Sequence, residues 1–178
     1  FYFCLADFVR PRLQNIKDKV GIFATSVDAS IEALFPDDAY RKMLAQTLAD
    51  RLAEATAEKL HEEVRKYHWG YAPDESLTMR QLHNEEFQGI RPAVGYPSLP
   101  DQSVNFILDE LLDMQQIGIR LTENGMMQPH ASVSGLMFAH PASRYFSIGK
   151  IDEKQLENYA SRRGMQVDEM RRFLGVNI

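Results

Sequence analysis

The segment Gly89-Ile-Arg-Pro-Ala-Val-Gly-Tyr-Pro-Ser-Leu-Pro100 constrains the fold more than any other part of the chain. Pro92, Pro97 and Pro100 stand within nine residues. Each fixes its own φ, lacks an amide donor and pushes the preceding residue toward extended backbone. Neither a helix nor an interior strand can run through such a stretch. It must be a stiff loop, with the regular elements on either side of it. Gly95 lets another backbone or a ligand approach closely. The loop carries one guanidinium (Arg91), one aromatic face (Tyr96) and exposed carbonyl and amide groups. A guanidinium pairs bidentately with a carboxylate, and an aromatic ring packs on a flat or cationic partner. Those features can hold an amino-acid-like small molecule; a purely structural turn accounts for them equally well.

Before this loop, residues 1–13 read as a short apolar helix or strand ending at Pro11. Val20–Thr25, β-branched and aromatic, is predicted to be a buried strand. Asp37 and Asp38 are expected to cap a helix of about 30 residues. Its inner face is predicted from Tyr40, Leu44, Leu48, Leu52, Ala55, Leu60, Val64 and Tyr67, with Gly70 and Pro73 ending it. Ser76 should cap a shorter helix with Leu77, Met79 or the Arg80 stem, Leu82 and Phe87 inward. After the loop, a helix from Asp101 should bury Phe106, Ile107, Leu111, Met114 and Ile117 and stop at Gly118. Ile119–Glu123, Ser132–Ala139 and Arg144–Ile148 have strand patterns, the last two joined by a hairpin at His140–Ser143. Asp152 and Gln155 form a capping box for a helix to Gly164, and Val167–Leu174 makes a final helix. Strands and helices mix without a regular β-α-β beat, so the expected class is α+β.

Composition narrows the function. The 178 residues carry 20 Lys+Arg against 25 Asp+Glu, a net charge of −5. That balance argues against a protein whose main work is neutralising phosphates. With 44% hydrophobic residues and a mean hydropathy of −0.35, the chain is globular, of a length for one domain that buries about 70% of its unfolded surface. One cysteine, Cys4, excludes an internal disulfide and any zinc site built on several thiolates, and suits a reducing compartment. No apolar run approaches the roughly 18–20 residues that span a bilayer. The chain opens on Phe1-Tyr2-Phe3-Cys4-Leu5 with neither Met nor a basic leader, so it is expected to be a piece of a longer polypeptide entered in mid-domain.

Other patterns resolve to bland readings. His61-Glu-Glu-Val-Arg65 begins like a zinc-protease helix but has Arg where the second His is required, and His68 lies about 10 Å further along the axis. Both histidines are expected on a helix surface. Asp50, Glu54, Glu58 and Glu62 form an i,i+4 acidic row, expected to be a solvated face. The last two helices have a helix-turn-helix rhythm, but Lys150–Ile178 holds six Lys/Arg against five Asp/Glu, too few for a DNA reader. No phosphate loop, dinucleotide fingerprint or nucleophile elbow is present. Pro97–Pro100 matches P-x-x-P, a pattern too permissive to carry weight.

Gly89-Ile-Arg-Pro-Ala-Val-Gly-Tyr-Pro97 closely resembles the signature of the S-adenosylmethionine-binding activation domain of cobalamin-dependent methionine synthases. Cys4–Val9, Leu48–Ala55, Tyr67–Pro73, Ala131–Gly135, His140-Pro141 and Tyr159-Ala160 resemble that family in the same order. The resemblance covers essentially the whole chain. It implies a C-shaped α+β domain, with a mixed or antiparallel twisted sheet and flanking helices, of which residues 1–178 are the C-terminal portion. The implied function is reductive reactivation within a cytoplasmic methyltransferase that methylates homocysteine to methionine. The domain docks over cob(II)alamin on the cobalamin-binding module of the same polypeptide. An electron arrives from flavodoxin or a flavoprotein reductase, and S-adenosylmethionine supplies a methyl group to cobalt. No nucleic acid or membrane partner is implied.

By the same resemblance Arg91 holds the ligand carboxylate, Ala93 and Gly95 give backbone contacts, and Tyr96 faces both corrin and ligand. Tyr145 and Phe146 match an adenosyl-contacting pair, although Phe146 stands where the family often has Tyr. Val94 likewise stands where a third Pro is common. Glu54 and Glu85 fall in segments close to the site. An acidic residue for the ligand's ammonium belongs to the upstream part of the domain, so the chain alone is expected to bind weakly or not at all and to be inactive. The other class considered is a catalytically silent docking module of the same fold that regulates a partner corrinoid protein; the presence of Arg91, Gly95, Tyr96 and Tyr145 argues against it. Arg91→Ala is predicted to abolish binding of S-adenosylmethionine in a calorimetric titration, by loss of a charge-assisted pair of about 1.5–3 kcal/mol. Arg12→Ala, outside the motif, is predicted to leave binding unchanged.

Overall fold

A computed structural model of the chain describes residues 3–11, 16–175 and 177–178. Phe1, Tyr2, Arg12 and Leu13 of the expected opening element lie outside the described residues; within it, Leu5–Phe8 form one 3-10 turn. The regular elements are β1 (Gly21–Ser26), α1 (Ala39–Glu63), α2 (Met79–His83), α3 (Val104–Leu112), β2 (Arg120–Leu121), β3 (Met127–Gln128), β4 (Ser132–Met137), α4 (Glu153–Arg163) and α5 (Val167–Phe173). The class is α+β, with helices around small antiparallel sheets.

β1 and β4 pair antiparallel from Gly21↔Met137 to Ser26↔Ser132. The proline-rich loop lies along the other edge of β4, bridging at Ile90↔Phe138 and Ala93↔Gly135. Val94 donates its amide to the Ser134 carbonyl (2.9 Å), and the Pro92 carbonyl accepts from Leu136 (3.0 Å). Pro92 has no amide to return, so one rung is lost and the segment is an irregular edge, as proline requires. The approach is close: a Cβ on Gly135 would collide with the Pro92 carbonyl and the Phe23 ring.

α1 crosses β1 and β4. Asp38 caps it by accepting from the Arg41 amide, and a wide π-type turn, Val64–His68, carries it to the expected length. Its inner face differs from the expected one. Ala49, Ala53, Ala57 and His61 are buried, whereas Tyr40, Leu44, Leu48, Leu52, Ala55 and Tyr67 are exposed. Of the expected face, only Leu60 and Val64 pack partly against the core. The buried row lies one residue, about 100° around the helix, from the leucine row. Alanines let the backbone approach the sheet, so that the Thr25 hydroxyl donates to the Ala53 carbonyl (3.2 Å). His61 is not a surface residue at all, being fully buried.

Other boundaries shift for local reasons. Thr78, paired with Gln81 in a capping box, starts α2 in place of Ser76, and Met79 is exposed. α3 begins at Val104, after Asp101 has accepted the Ser103 amide. It buries Val104, Asn105 and Leu108, while Phe106, Ile107, Leu111 and Ile117 are exposed. A left-handed Asp113 (φ 49°) breaks the helix there, so the periodicity does not continue to Met114, which is buried in a separate 3-10 turn. Arg144–Ile148 is not a strand, and no hairpin joins it to β4. Ser98 replaces a ladder partner: its hydroxyl bonds both the Phe146 amide and carbonyl, and Ile148 donates to the Pro97 carbonyl (3.1 Å). α4 and α5 match expectation, down to the Asp152–Gln155 capping box and a left-handed Gly164. They are tied to the start of α3 by Tyr159 donating to Asp101 (2.7 Å) and Arg163 to Ser103 (2.8 Å).

The alanine seam generates a stability prediction. Ala53→Leu should destabilise the chain by about 1–3 kcal/mol through overpacking, whereas Leu48→Ala, at 57% exposure, should change it by less than about 0.5 kcal/mol. Urea unfolding of the two variants checks the ranking.

Candidate functional site

Between α1, the proline-rich loop and residues 145–147 lies an open cleft of about 510 Å³. Its floor is Phe23 of β1 and Val133 of β4, two positions apart in the register, and Ala57 of the helix seam. The loop supplies the rim because it is laid along β4: Ile90, Pro92 and Val94 are buried, and Arg91 and Ala93 stay partly open. One position beyond the buried Ala53 and Ala57 stand Glu54 and Glu58, which the helix turn places on the cleft. The acidic row is thus only partly a solvated face. Asp50 pairs with His130 (3.2 Å) and Glu62 with Lys59 (2.9 Å), both away from this cleft.

Seven of the eight residues singled out from the sequence line the cleft: Glu54, Glu85, Arg91, Ala93, Tyr96, Tyr145 and Phe146. Gly95 does not. Its left-handed backbone (φ 87°) faces Gln102, whose amide nitrogen occupies the space a Cβ would take, and it borders a second hollow of about 700 Å³ on the far side of the loop. The backbone groups of the loop are partly committed already. The Ala93 carbonyl accepts from Tyr96 (3.2 Å), and the Gly95 amide donates to Leu99 (2.8 Å).

The Arg91 guanidinium forms an ion pair with Glu58 (N···O 3.0 Å), and the Arg91 amide donates to the Tyr145 hydroxyl (3.0 Å). Burial pushes the Tyr145 phenol up from its ordinary range, so it stays protonated and hydrogen-bonding. Tyr96 donates to Glu54 (2.6 Å), and this bond, with partial burial, raises its phenol to about 12. The Tyr96 ring is half exposed and borders the second hollow as well as the cleft. Glu85 sits in a left-handed turn (φ 56°) after α2, an uncommon conformation for a side chain of this size. Three glutamates face one arginine among the described lining residues.

Glu58, Ser98 and Phe87 were not picked out for the site from sequence. The i,i+4 spacing from Glu54 carried a signal for Glu58, and Ser98 sits within the proline-rich loop itself. Nothing local pointed to Phe87, whose ring lies under the Arg91 guanidinium (5.8 Å). Among the described residues no group of His, Cys, Asp or Glu could hold a metal ion, and no helix is long and apolar enough to cross a membrane.

A proline-stiffened rim with one guanidinium, three glutamates and aromatic walls defines a binding domain for a small charged molecule. The family model of the vitamin B12 dependent methionine synthase activation domain matches residues 1–164. Among solved structures, the crystal structure of the MetH reactivation domain bound to AdoHcy superposes with a TM-score of 0.91 at 46% identity, over 98% of this chain and 56% of that one. The chain belongs to the vitamin B12 dependent methionine synthase activation domain family.

Behind the cleft, burial and the nearby Arg65 and Arg91 hold the His61 imidazole near about 3, far below its usual value. A group depressed in the folded state favours folding above its unfolded pKa and opposes it as pH falls. Between pH 7 and 5, His61 should therefore remove about 1–2 kcal/mol of stability. Urea unfolding at both pH values is expected to show this loss in the parent and a smaller one in His61→Gln.

Proposed function

We propose that the cleft binds S-adenosylmethionine and that the chain serves reductive reactivation in a cobalamin-dependent methionine synthase. The observation that carries the reading is the convergence of Arg91, Tyr96, Tyr145 and three glutamates on one cleft. It is supported by family membership and by the AdoHcy bound in the similar MetH structure. A ligand with a carboxylate, an ammonium and a sulfonium carries one net positive charge, which suits an acidic cleft with a single guanidinium.

The residues have separable tasks. Arg91 takes the carboxylate in place of Glu58, and Tyr145 keeps the Arg91 backbone fixed by accepting its amide. Tyr145 and Phe146 offer the adenosyl group aromatic walls. The acids Glu54, Glu58 and Glu85 favour the positive charges of the amino and sulfonium groups. Tyr96, half exposed and braced by Glu54, provides a flat face at the mouth of the cleft for a planar macrocycle held by a cobalamin-binding module. Cobalamin, when bound there, supplies the methyl-accepting cobalt chemistry. The donor is already activated by its sulfonium, so the chain has to orient it, and no catalytic acid or base is needed. A flavodoxin or flavoprotein reductase is the proposed electron donor, and the parent enzyme the site of homocysteine methylation.

Calorimetric titration with S-adenosylmethionine, on this chain and on one extended at its N-terminus, tests the reading. Tight binding by the extended chain, with weak or no binding by this chain alone, is expected, because an upstream acid contributes to holding the ammonium. Absence of binding in both overturns the assignment of the cleft, and equal, tight binding removes the upstream acid from it.

A further inference from the structure

Phe87 has no part in the ligand contacts assigned above, yet its ring joins the cleft to a buried ionic pair. The Arg91 guanidinium carbon lies 5.8 Å from its centroid, and that of Arg65 lies over the same ring at 4.4 Å. Arg65 is 1% exposed and grips Glu75 with both arms of its fork, at 2.7 and 2.6 Å. The His61 ring meets Phe87 edge-on at 5.3 Å, and its neutrality avoids a third cation beside the two guanidiniums. Arg65, the closer of the two guanidiniums on the ring, cannot turn away from it without stranding a buried charge. Glu58, the carboxylate on Arg91, is by contrast 62% exposed and can swing into water. Of the two contacts on the Arg91 guanidinium, the ring is the fixed one and the carboxylate the replaceable one.

We propose that Phe87 is the positioning residue for Arg91, holding its guanidinium at the cleft while Glu58 gives way to the carboxylate of the ligand. The proposal rests on the reading of Arg91 as the carboxylate-binding residue. A ring under a guanidinium attracts it through the ring quadrupole and limits its rotamers. The bound and free states then differ by an exchange of one carboxylate for another on a cation that stays in place.

The test compares two thioethers that share the adenosyl group. AdoHcy carries the amino-acid end, and 5′-methylthioadenosine lacks it. NMR titration of Phe87→Leu is expected to show AdoHcy weakened by about 3- to 30-fold, with 5′-methylthioadenosine within about twofold of the parent chain. Phe87→Trp, with the stronger π-face, should regain AdoHcy binding. Equal loss of both ligands, or no loss of AdoHcy, overturns the proposal. A ligand-free reading stands beside it. In Phe87→Leu the Arg91 Nε–H signal should lose its ring-current displacement and exchange rapidly with water, while that of Arg65, held by Glu75, persists. Should neither this chain nor one extended at its N-terminus bind either thioether, the reading of the cleft falls; an Arg91 signal unmoved by Phe87→Leu overturns the positioning role on its own.

Discussion

The structure depends on an edge pairing that the sequence makes unusually hard to form. Ile90 to Val94 must lie along β4 although Pro92 can return no amide to it. The pairing is possible because Pro92 accepts where it cannot donate, and because Gly135 leaves room for the Pro92 carbonyl. Once the segment is laid there, strand-like alternation does the rest. Ile90, Pro92 and Val94 go inward, and Arg91 and Ala93 are left on the cleft side. The same strand that receives the loop receives β1 on its other edge, and both lie under the alanine seam of α1. Loop, floor and acidic helix are thus fixed relative to one another through β4.

The stiff loop, β1, the long helix, the capping box before α4 and the α+β class were legible because each rests on local chemistry: proline geometry, β-branching, caps. The packing face of α1 was not. Hydrophobicity alone points to the leucines at 44, 48 and 52, whereas the sheet is approached by Ala49, Ala53 and Ala57. A seam of small side chains carries no strong hydrophobic signal, and its value appears only when the facing surface is known. Residues 144–148 failed for a related reason. Their extended pattern is real, but the partner is the Ser98 hydroxyl, which no periodicity reveals. Of the cleft, Arg91 and Tyr96 stood out from the chemistry of the loop itself, and Ala93, Tyr145, Phe146, Glu54 and Glu85 were reached through resemblance to a family. Glu58 had only its spacing from Glu54 to signal it, and Phe87 had nothing local, because both matter through Arg91.

A sulfonium donor carries its own leaving group, so there is no proton to move in making it reactive. What such a site has to supply is charge matching and direction. The cleft meets the first with an excess of acids and the second with a loop whose proline content limits its motion before any ligand arrives. Tyr96, at the boundary of the cleft and the hollow beyond it, belongs to both spaces.

The energies of the two arginine pairs near the cleft arrange themselves into a hierarchy. The Arg91–Glu58 contact, with Glu58 largely in water, is worth about 0–1 kcal/mol. Removing one partner from the Arg65–Glu75 pair, buried on both sides, would cost about 3–5 kcal/mol. On the proposed reading, a ligand carboxylate displaces Glu58 at little cost while the platform beneath Arg91 stays intact. Had the burial been reversed, with Arg91 in the deep pair, the guanidinium would be better held and useless for binding, since no incoming carboxylate could repay its release. A binding arginine needs a weak partner in front of it and a strong one behind, and Phe87 lies between the two.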